Sequence, residues 1–129
     1  MYDEVLQAVI GMARQYVPVA IVTGSLPPDN GIAMSGNAAT ASVMLDIGSN
    51  ERMALLCNAK NTDQETVIRW LDAIHHGLTR RKDFPQSSTW RIYAIETVAS
   101  PRLIAKEQNS QWLYGSSFLV KFNAKGIDA

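Results

Sequence analysis

Apolar and polar positions change period several times along the 129-residue chain. Near the start, apolar residues recur at three- and four-residue intervals, which is the spacing of one helix face; they are Val5, Leu6, Val9, Ile10, Ala13, Tyr16 and Val17. Asp3 and Glu4 fall in the first turn, where carboxylates favour the positive end of the helix dipole. Because the residue before a proline avoids the α region, Pro18 is predicted to close this helix.

Short strands and loops are predicted to follow. Residues 19–23 are apolar and β-branched and are a predicted strand, and residues 32–35 are predicted to form a second, brief strand. Residues 24–31 between them contain two prolines, two glycines and an Asp-Asn pair, which predict a loop. A second loop signal comes at Gly36 and Asn37.

Residues 40–58 are predicted to form a β-hairpin with its turn at residues 48–51. Val43, Leu45 and Ile47 alternate with polar or flexible residues on the first strand. The return strand, residues 52–57, ends in the unbroken run Leu55, Leu56 and Cys57. An unbroken apolar run is typical of a strand that is covered on both faces.

The second helix has the clearest pattern in the chain. Thr62 and Glu65 match a capping box at its start. Four apolar residues then fall on one face at intervals of four, three and four: Val67, Leu71, Ile74 and Leu78. Cations favour the C-terminal end of a helix dipole, and Arg80, Arg81 and Lys82 stand there, before Pro85.

The last third of the chain is predicted to be β-structure. Residues 90–99 are aromatic and β-branched, and Pro101 then indicates an edge, a bulge or a turn before residues 102–106. A polar turn at residues 107–110 precedes the final strand, residues 111–122, in which Gly115 is a candidate bulge.

These elements predict one α+β domain covering residues 1–129, with the small polar tail, residues 123–129, frayed. The strands come in hairpin-like pairs rather than in βαβ alternation. This order predicts a mixed or mostly antiparallel sheet with two amphipathic helices packed on one face.

The charge balance and the cysteine content limit the classes of protein to which the chain can belong. Lys plus Arg and Asp plus Glu number 12 each, and this balance disfavours a dedicated DNA-binding role. The single cysteine, Cys57, permits no internal disulfide and fits a reducing cytosol. Two acids stand where a signal peptide would be basic, and the apolar runs are too short to span a bilayer. We expect a cytoplasmic protein without a membrane partner.

No pattern of catalytic residues emerges. His75 and His76 point about 100° apart on a helix, so they cannot both ligate one metal from one face. Cys57 ends an apolar strand, which favours an inert core residue. Nucleophile-elbow, P-loop and dinucleotide-binding motifs are missing from the sequence. We therefore predict no enzyme, no catalytic residue, no cofactor and no metal site.

Two groups of residues are candidates for contact with partners. The basic run Arg80, Arg81 and Lys82, near Trp90 and Arg91, is explained by charges at a helix end and a core tryptophan; the alternative is contact with nucleic acid or an acidic surface. Aromatic residues outside a deep core are enriched at interfaces. Trp70, to one side of the helix stripe, and Trp112, beside a polar turn, are such candidates, although core packing is expected for at least one tryptophan.

The arrangement of these elements resembles a known family. An opening amphipathic helix, a loop-rich strand region, a capped helix over residues 62–81 and a β-rich close follow in order. Ser100 and Pro101 break one strand, and residues 113–122 read Leu-Tyr-Gly-Ser-Ser-Phe-Leu-Val-Lys-Phe. In this order the whole chain resembles the tail terminator and related minor tail or neck proteins of long-tailed phages and prophages.

The resemblance implies a structural role. Such proteins cap the growing tail tube and join tail to head as rings, typically hexamers. The implied partners are other copies, other tail or head–neck proteins and, in passing, DNA; the implied location is the host cytoplasm and then the virion. By the same resemblance, residues 24–31 and 48–51 are expected at contacts between subunits, and Arg80, Arg81 and Lys82 are expected to face the channel.

Two other hypotheses stay open. A cytosolic binding module, acting as a dimer, would carry a concave apolar pocket between sheet and helices. A small enzyme using Cys57 or a histidine would need a pair of titrating groups with perturbed pKa values in one cleft.

Overall fold

The computed structural model describes residues 2–37 and 50–124. In chain order these residues form α1 (Tyr2–Ala13), β1 (Ile21–Thr23), β2 (Gly31–Asn37), β3 (Asn50–Asn61), α2 (Gln64–Thr79), β4 (Trp90–Lys106) and β5 (Trp112–Ala124). The strands make a five-stranded sheet in the order β1-β2-β3-β5-β4. The β1–β2 pair is parallel and the other pairs are antiparallel. The predicted α+β class with a mixed sheet is confirmed.

Both helices pack on the same face of the sheet. His75 of α2 stacks on Phe118 of β5, with ring centroids 3.9 Å apart. Leu6 of α1 and Leu55 of β3 border the space above Gly36 of β2. Leu55, Phe118 and Gly36 lie in one cross-strand row, so the two helices share one side. Their apolar faces and the facing strand residues form a single core cluster.

The other side of the sheet carries no helix among the described residues, and we name it the open face. Side chains alternate across a strand, so the register assigns every second residue of the central strands to this face. Its members are Arg52, Ala54, Leu56 and Asn58 of β3, Leu113, Gly115, Ser117, Leu119 and Lys121 of β5, and Arg91, Ala94, Glu96, Ala99 and Arg102 of β4.

The parallel β1–β2 pair has an unusually short connection. Parallel neighbours ordinarily need a crossover of a dozen or more residues. Here residues 24–30 suffice, because β1 has only three residues and the chain has little distance to retrace. Gly24 has a φ of 94°, and its amide donates to the carbonyl of Met34 at 2.9 Å. The loop predicted from the prolines and glycines is thus anchored at its start.

The first helix ends earlier than predicted. It closes at Ala13 rather than at Pro18. The amides of Gln15 and Tyr16 donate to the carbonyls three residues earlier, at 3.1 and 3.0 Å. Such bonds tighten the last turn into the 3₁₀ form and end the α-helix before the proline is reached.

The predicted capping box of the second helix does not form. The N-cap is Asp63, and the helix begins at Gln64. The amide of Thr62 donates to the side-chain oxygen of Asn30 at 3.2 Å, and the hydroxyl of Thr66 donates to the carboxylate of Asp63 at 2.6 Å. A tertiary contact therefore holds Thr62 outside the helix. The predicted apolar stripe is confirmed, because all four of its members are buried: Val67, Leu71, Ile74 and Leu78.

The predicted hairpin is described only in part. Its return strand lies within β3, whose neighbours are β2 and β5. Asn50 and Glu51, predicted in the turn, already belong to that strand. The predicted first strand, residues 40–47, and turn residues 48 and 49 lie outside the described residues.

Strand β4 is an edge strand and is longer than its partner. Its 17 residues oppose the 13 of β5, and the pairing shifts register four times. Pro101 falls within one shift, as the predicted edge or bulge requires. At each of the other three register shifts, β4 has one extra residue. These residues are Tyr93, Val98 and Ile104, and all three are exposed. A bulge re-aims the side chains of the strand that contains it, so these three project from the ladder.

The structure differs from two predictions for β5, the bulge at Gly115 and the end of the strand. Gly115 is not a bulge: it pairs with Asn58 on one side and Arg102 on the other. A β-carbon there would lie 2.5 Å from Ile104 and 2.9 Å from Asn58, so the position lacks room for a side chain. The strand runs to Ala124, into the segment that was predicted to fray, and residues 125–129 lie outside the described residues.

Candidate assembly surfaces

The three residues of the basic run at the end of α2 lie in different surroundings. Arg81 is used within the fold: one guanidinium nitrogen donates to the side-chain oxygen of Gln15 and to the hydroxyl of Tyr16, both at 3.0 Å. Its Nε donates to the carbonyl of Asp83 at 2.8 Å. Arg81 therefore ties the end of α2 to the end of α1.

Arg80 and Lys82 are exposed and border separate depressions. Arg80 lines a cavity of about 280 Å³ between α2 and β4. Lys82 lines another, of about 290 Å³, beside Arg91 and Tyr93. The three basic residues thus do not share one patch, and their contact with a channel or with DNA stays a prediction.

The tryptophans occupy different depths. Trp70 is 8% exposed and belongs to the core cluster, so it presents little surface to a partner. Trp90 is also buried, and its indole nitrogen donates to the carboxylate of Glu4 at 2.9 Å. Trp112 is half-buried, with the ammonium of Lys106 4.7 Å from its ring centroid. Of the two candidates, Trp112 keeps more surface for an interface.

His75 packs inside the protein while His76 is exposed. The Nδ1 of His75 lies 2.7 Å from the hydroxyl oxygen of Thr97. The Nε2 of His75 is buried with no hydrogen-bond partner among the described residues. Burial lowers the pKa of His75 to about 4, although the charge of Asp72 opposes the shift. At neutral pH the ring is uncharged, as a residue that fills space between helix and sheet requires.

Cys57 cannot serve as a nucleophile at neutral pH. Its side chain is fully buried, and burial raises the pKa of the thiol to about 12. Ser116 on the neighbouring strand donates from its hydroxyl to the carbonyl of Cys57 at 2.9 Å. The thiolate, which is the reactive form, is therefore not populated. Within residues 2–37 and 50–124, no cluster of three or more His, Cys, Asp or Glu is placed to hold a metal ion.

The open face combines exposed apolar residues with arginines. Leu56 is 48% exposed and Ile104 is 53% exposed. They border a pit of about 190 Å³, lined by Leu56, Asn58, Ala99, Arg102, Ile104 and Ser117. Lys121 pairs with Glu96 at 3.0 Å and Lys60 with Glu107 at 3.2 Å. No ion pair joins Arg52, Arg91 or Arg102 to another described residue.

The exposed side of α2 forms a second surface, which we name the α2 ridge; Glu65, Ile68, Arg69 and Asp72 border an open depression along it. Ile68 is 37% exposed and stands between the two carboxylates. Arg69 approaches Glu65 at 3.9 Å, but both side chains are highly exposed and such a pair contributes little. Asp72 has no ion-pair partner within the described part of the chain.

Sequence reasoning missed both surfaces, although one signal was present. The run Leu55, Leu56 and Cys57 was interpreted as a strand covered on both faces. The helices cover Leu55 and Cys57, whereas Leu56 is half-exposed on the open face. The pattern thus indicated a cover that the described part of the chain does not supply.

The sheet and its two helices define an α+β fold that also occurs in a virion. No protein-family model matches the chain, and no curated protein matches its sequence. Among solved structures, the chain is similar to one from the virion of a native gene transfer agent (GTA) particle. The TM-score is 0.67 at 15% sequence identity, over 92% of this chain and 94% of that chain. At this identity the likeness shows a shared fold. No helix in the described part of the chain is long and apolar enough to cross a membrane.

Proposed function

We propose that the protein is a structural subunit of a phage-like particle, which caps the tail tube and joins tail to head through ring self-assembly. The observation that carries the proposal is the likeness to the virion chain. It extends over 92% of this chain and 94% of that chain, so the likeness concerns nearly the full length of both rather than a shared fragment. The tail position itself rests on the resemblance in element order.

The chemistry of the described residues supports a role without catalysis. The cysteine is buried with its thiol pKa raised to about 12. The buried histidine has one nitrogen on Thr97 and its ring against Phe118, which fits a packing role. The cavity between α2 and β4 is lined mainly by polar and charged side chains, whereas a binding module would need a mostly apolar ligand cleft.

The proposal includes definite partners. The protein would assemble with copies of itself, in a ring of about six if it follows the resembling family, and with other tail or head–neck proteins. DNA would pass the ring without sequence-specific contact. Assembly would begin in the host cytoplasm and end in the virion.

Deletion of the coding sequence in a particle-producing cell tests this function. Without a cap, tail tubes should grow past their normal length, and heads should stay separate from tails in negative-stain images. A plasmid copy of the wild-type sequence should restore joined particles with normal tails. Particles of normal tail length that remain joined after deletion would overturn the proposal, as would particles in which mass spectrometry never finds the chain.

A further inference from the structure

We propose that two copies of this protein bind through different surfaces, with Ile68 of one copy seated in the pit on the open face of the next. The inference rests on the proposed function and names the surfaces by which the subunit would self-associate. Each copy then carries both halves of the contact: the α2 ridge on its helix side and the pit on its sheet side.

The apolar half of the contact consists of three side chains that the described residues leave uncovered. Leu56 and Ile104 border the pit and are 48% and 53% exposed. Ile104 lies over Gly115 and occupies the space that a side chain there would need. Ile68 projects from α2 and is 37% exposed. An apolar centre surrounded by polar groups is the usual anatomy of a protein–protein interface.

The polar half of the contact is complementary in charge. Arg102 forms part of the pit, and Asp72 stands one helical turn from Ile68. Neither has an ion-pair partner among the described residues. With Ile68 in the pit, the carboxylate beside it faces the guanidinium at the wall.

The placement of the two surfaces bears on the symmetry. The ridge lies on α2 and the pit opens on the side of the sheet opposite the helices, so the contact joins two different surfaces of the chain. Contacts between different surfaces of identical chains generate rings when the rotation closes and filaments when it does not. This geometry suits a subunit that assembles into a ring.

Charge reversal distinguishes this contact from others. Asp72→Arg places a cation opposite Arg102, and Arg102→Asp places an anion opposite Asp72, so each variant repels its own copies. In a mixture, every junction between a D72R copy and an R102D copy brings opposite charges together, so the two variants should bind each other in alternation. The double variant D72R/R102D should also bind itself. Light scattering behind a sizing column, across protein concentration and at low salt, measures all four samples.

We expect each single reversal to weaken self-association by about tenfold or more. The mixture and the double variant should recover most of the loss. Lys82→Asp is the matched control, because Lys82 is exposed and belongs to neither surface. Thermal unfolding followed by circular dichroism checks that each variant keeps its fold.

Three outcomes overturn the inference. Single reversals that associate like K82D show that other surfaces are used. Singles that dissociate without recovery in the mixture show that the two residues do not meet. A wild-type protein that stays monomeric at every concentration shows that another protein covers these surfaces. None of these results alters the particles formed after gene deletion, so the proposed function stands or falls separately.

Discussion

The ring of Tyr16 occupies the space that a side chain at Gly77 would need. A β-carbon on that glycine would lie 2.5 Å from the ring carbons, well inside van der Waals contact. The hydroxyl of Tyr16 in turn accepts a hydrogen bond from Arg81 at 3.0 Å. The turn that follows α1 therefore meets α2 at a position without a side chain, and Arg81 of the basic run fixes the ring that fills the space.

Gly77→Ala should lower the free energy of unfolding by about 1 to 2 kcal/mol, because the cost of overpacking exceeds the gain in helix propensity. Gly11→Ala in α1 is the matched control, since nothing lies within 4 Å of a β-carbon there. That change should stabilise the protein by up to about 1 kcal/mol. Urea unfolding measures both. Equal stabilisation by the two alanines would show that Tyr16 moves aside freely.

His75 should make the protein less stable in mild acid. Burial holds the folded-state pKa at about 4, below the ordinary value of 6.5, so the unfolded chain takes up a proton first as the pH falls. Stability from this residue is complete above pH 6.5 and is lost as the pH falls toward 4. The full loss is about 3 kcal/mol. Urea unfolding at pH 7.5 and again at pH 4.5 measures the difference.

Carboxylates also titrate in the lower part of that range, so the histidine needs its own control. His75→Phe can stack on Phe118 and has no titrating group, and it should remove most of the pH dependence above pH 5. His76→Gln changes an exposed neighbour whose charge is the smallest cause of the lowered His75 pKa, and it should leave most of the dependence in place. An unchanged slope in H75F would contradict the assignment.

Two ion pairs of different depth should differ in strength. Lys60 and Glu107 have side chains 9% and 36% exposed, whereas Lys121 and Glu96 are 24% and 55% exposed. Glu107→Gln leaves a nearly buried ammonium without its partner charge, and we expect a loss of about 2 kcal/mol. Glu96→Gln affects a more exposed pair and should cost less than about 1 kcal/mol. Chemical denaturation ranks the two, and the reverse order would refute the argument from burial.

Cys57 should be inert in the folded protein. With its thiol buried and the pKa raised to about 12, it should react with an aromatic disulfide reagent at pH 8 only as fast as the protein opens. Denaturant should make the reaction complete within the mixing time. Rapid reaction under native conditions would restore the case for a thiol enzyme.

The sequence predicts what is repeated locally and misses what depends on distant residues. The stripe of α2 is visible because burial follows the helical period: its four predicted members are buried, and so are Trp70 and His75 beside them. The start of that helix was misplaced because Asn30, far away in sequence, binds the amide of Thr62. The basic run looked like one patch, yet its members point into different surroundings because neighbours at a helix end diverge.

The candidate surfaces were harder to predict for a related reason. The pit on the open face joins Leu56 and Ile104, which stand on β3 and β4, separated in the sheet by β5. The bulge that projects Ile104 is set by a mismatch in strand length, which no local pattern records.

The mismatch in length between β4 and β5 also affects the tendency of free subunits to aggregate. An incoming strand of regular spacing would fall out of phase with β4 at each of its four register shifts, and Pro101 offers it no amide hydrogen. The opposite edge of the described sheet, β1, has only three residues to template growth. We therefore expect a pool of free subunits to resist stacking into cross-β fibrils, so a cell can hold many copies in reserve until the structure that uses them is ready.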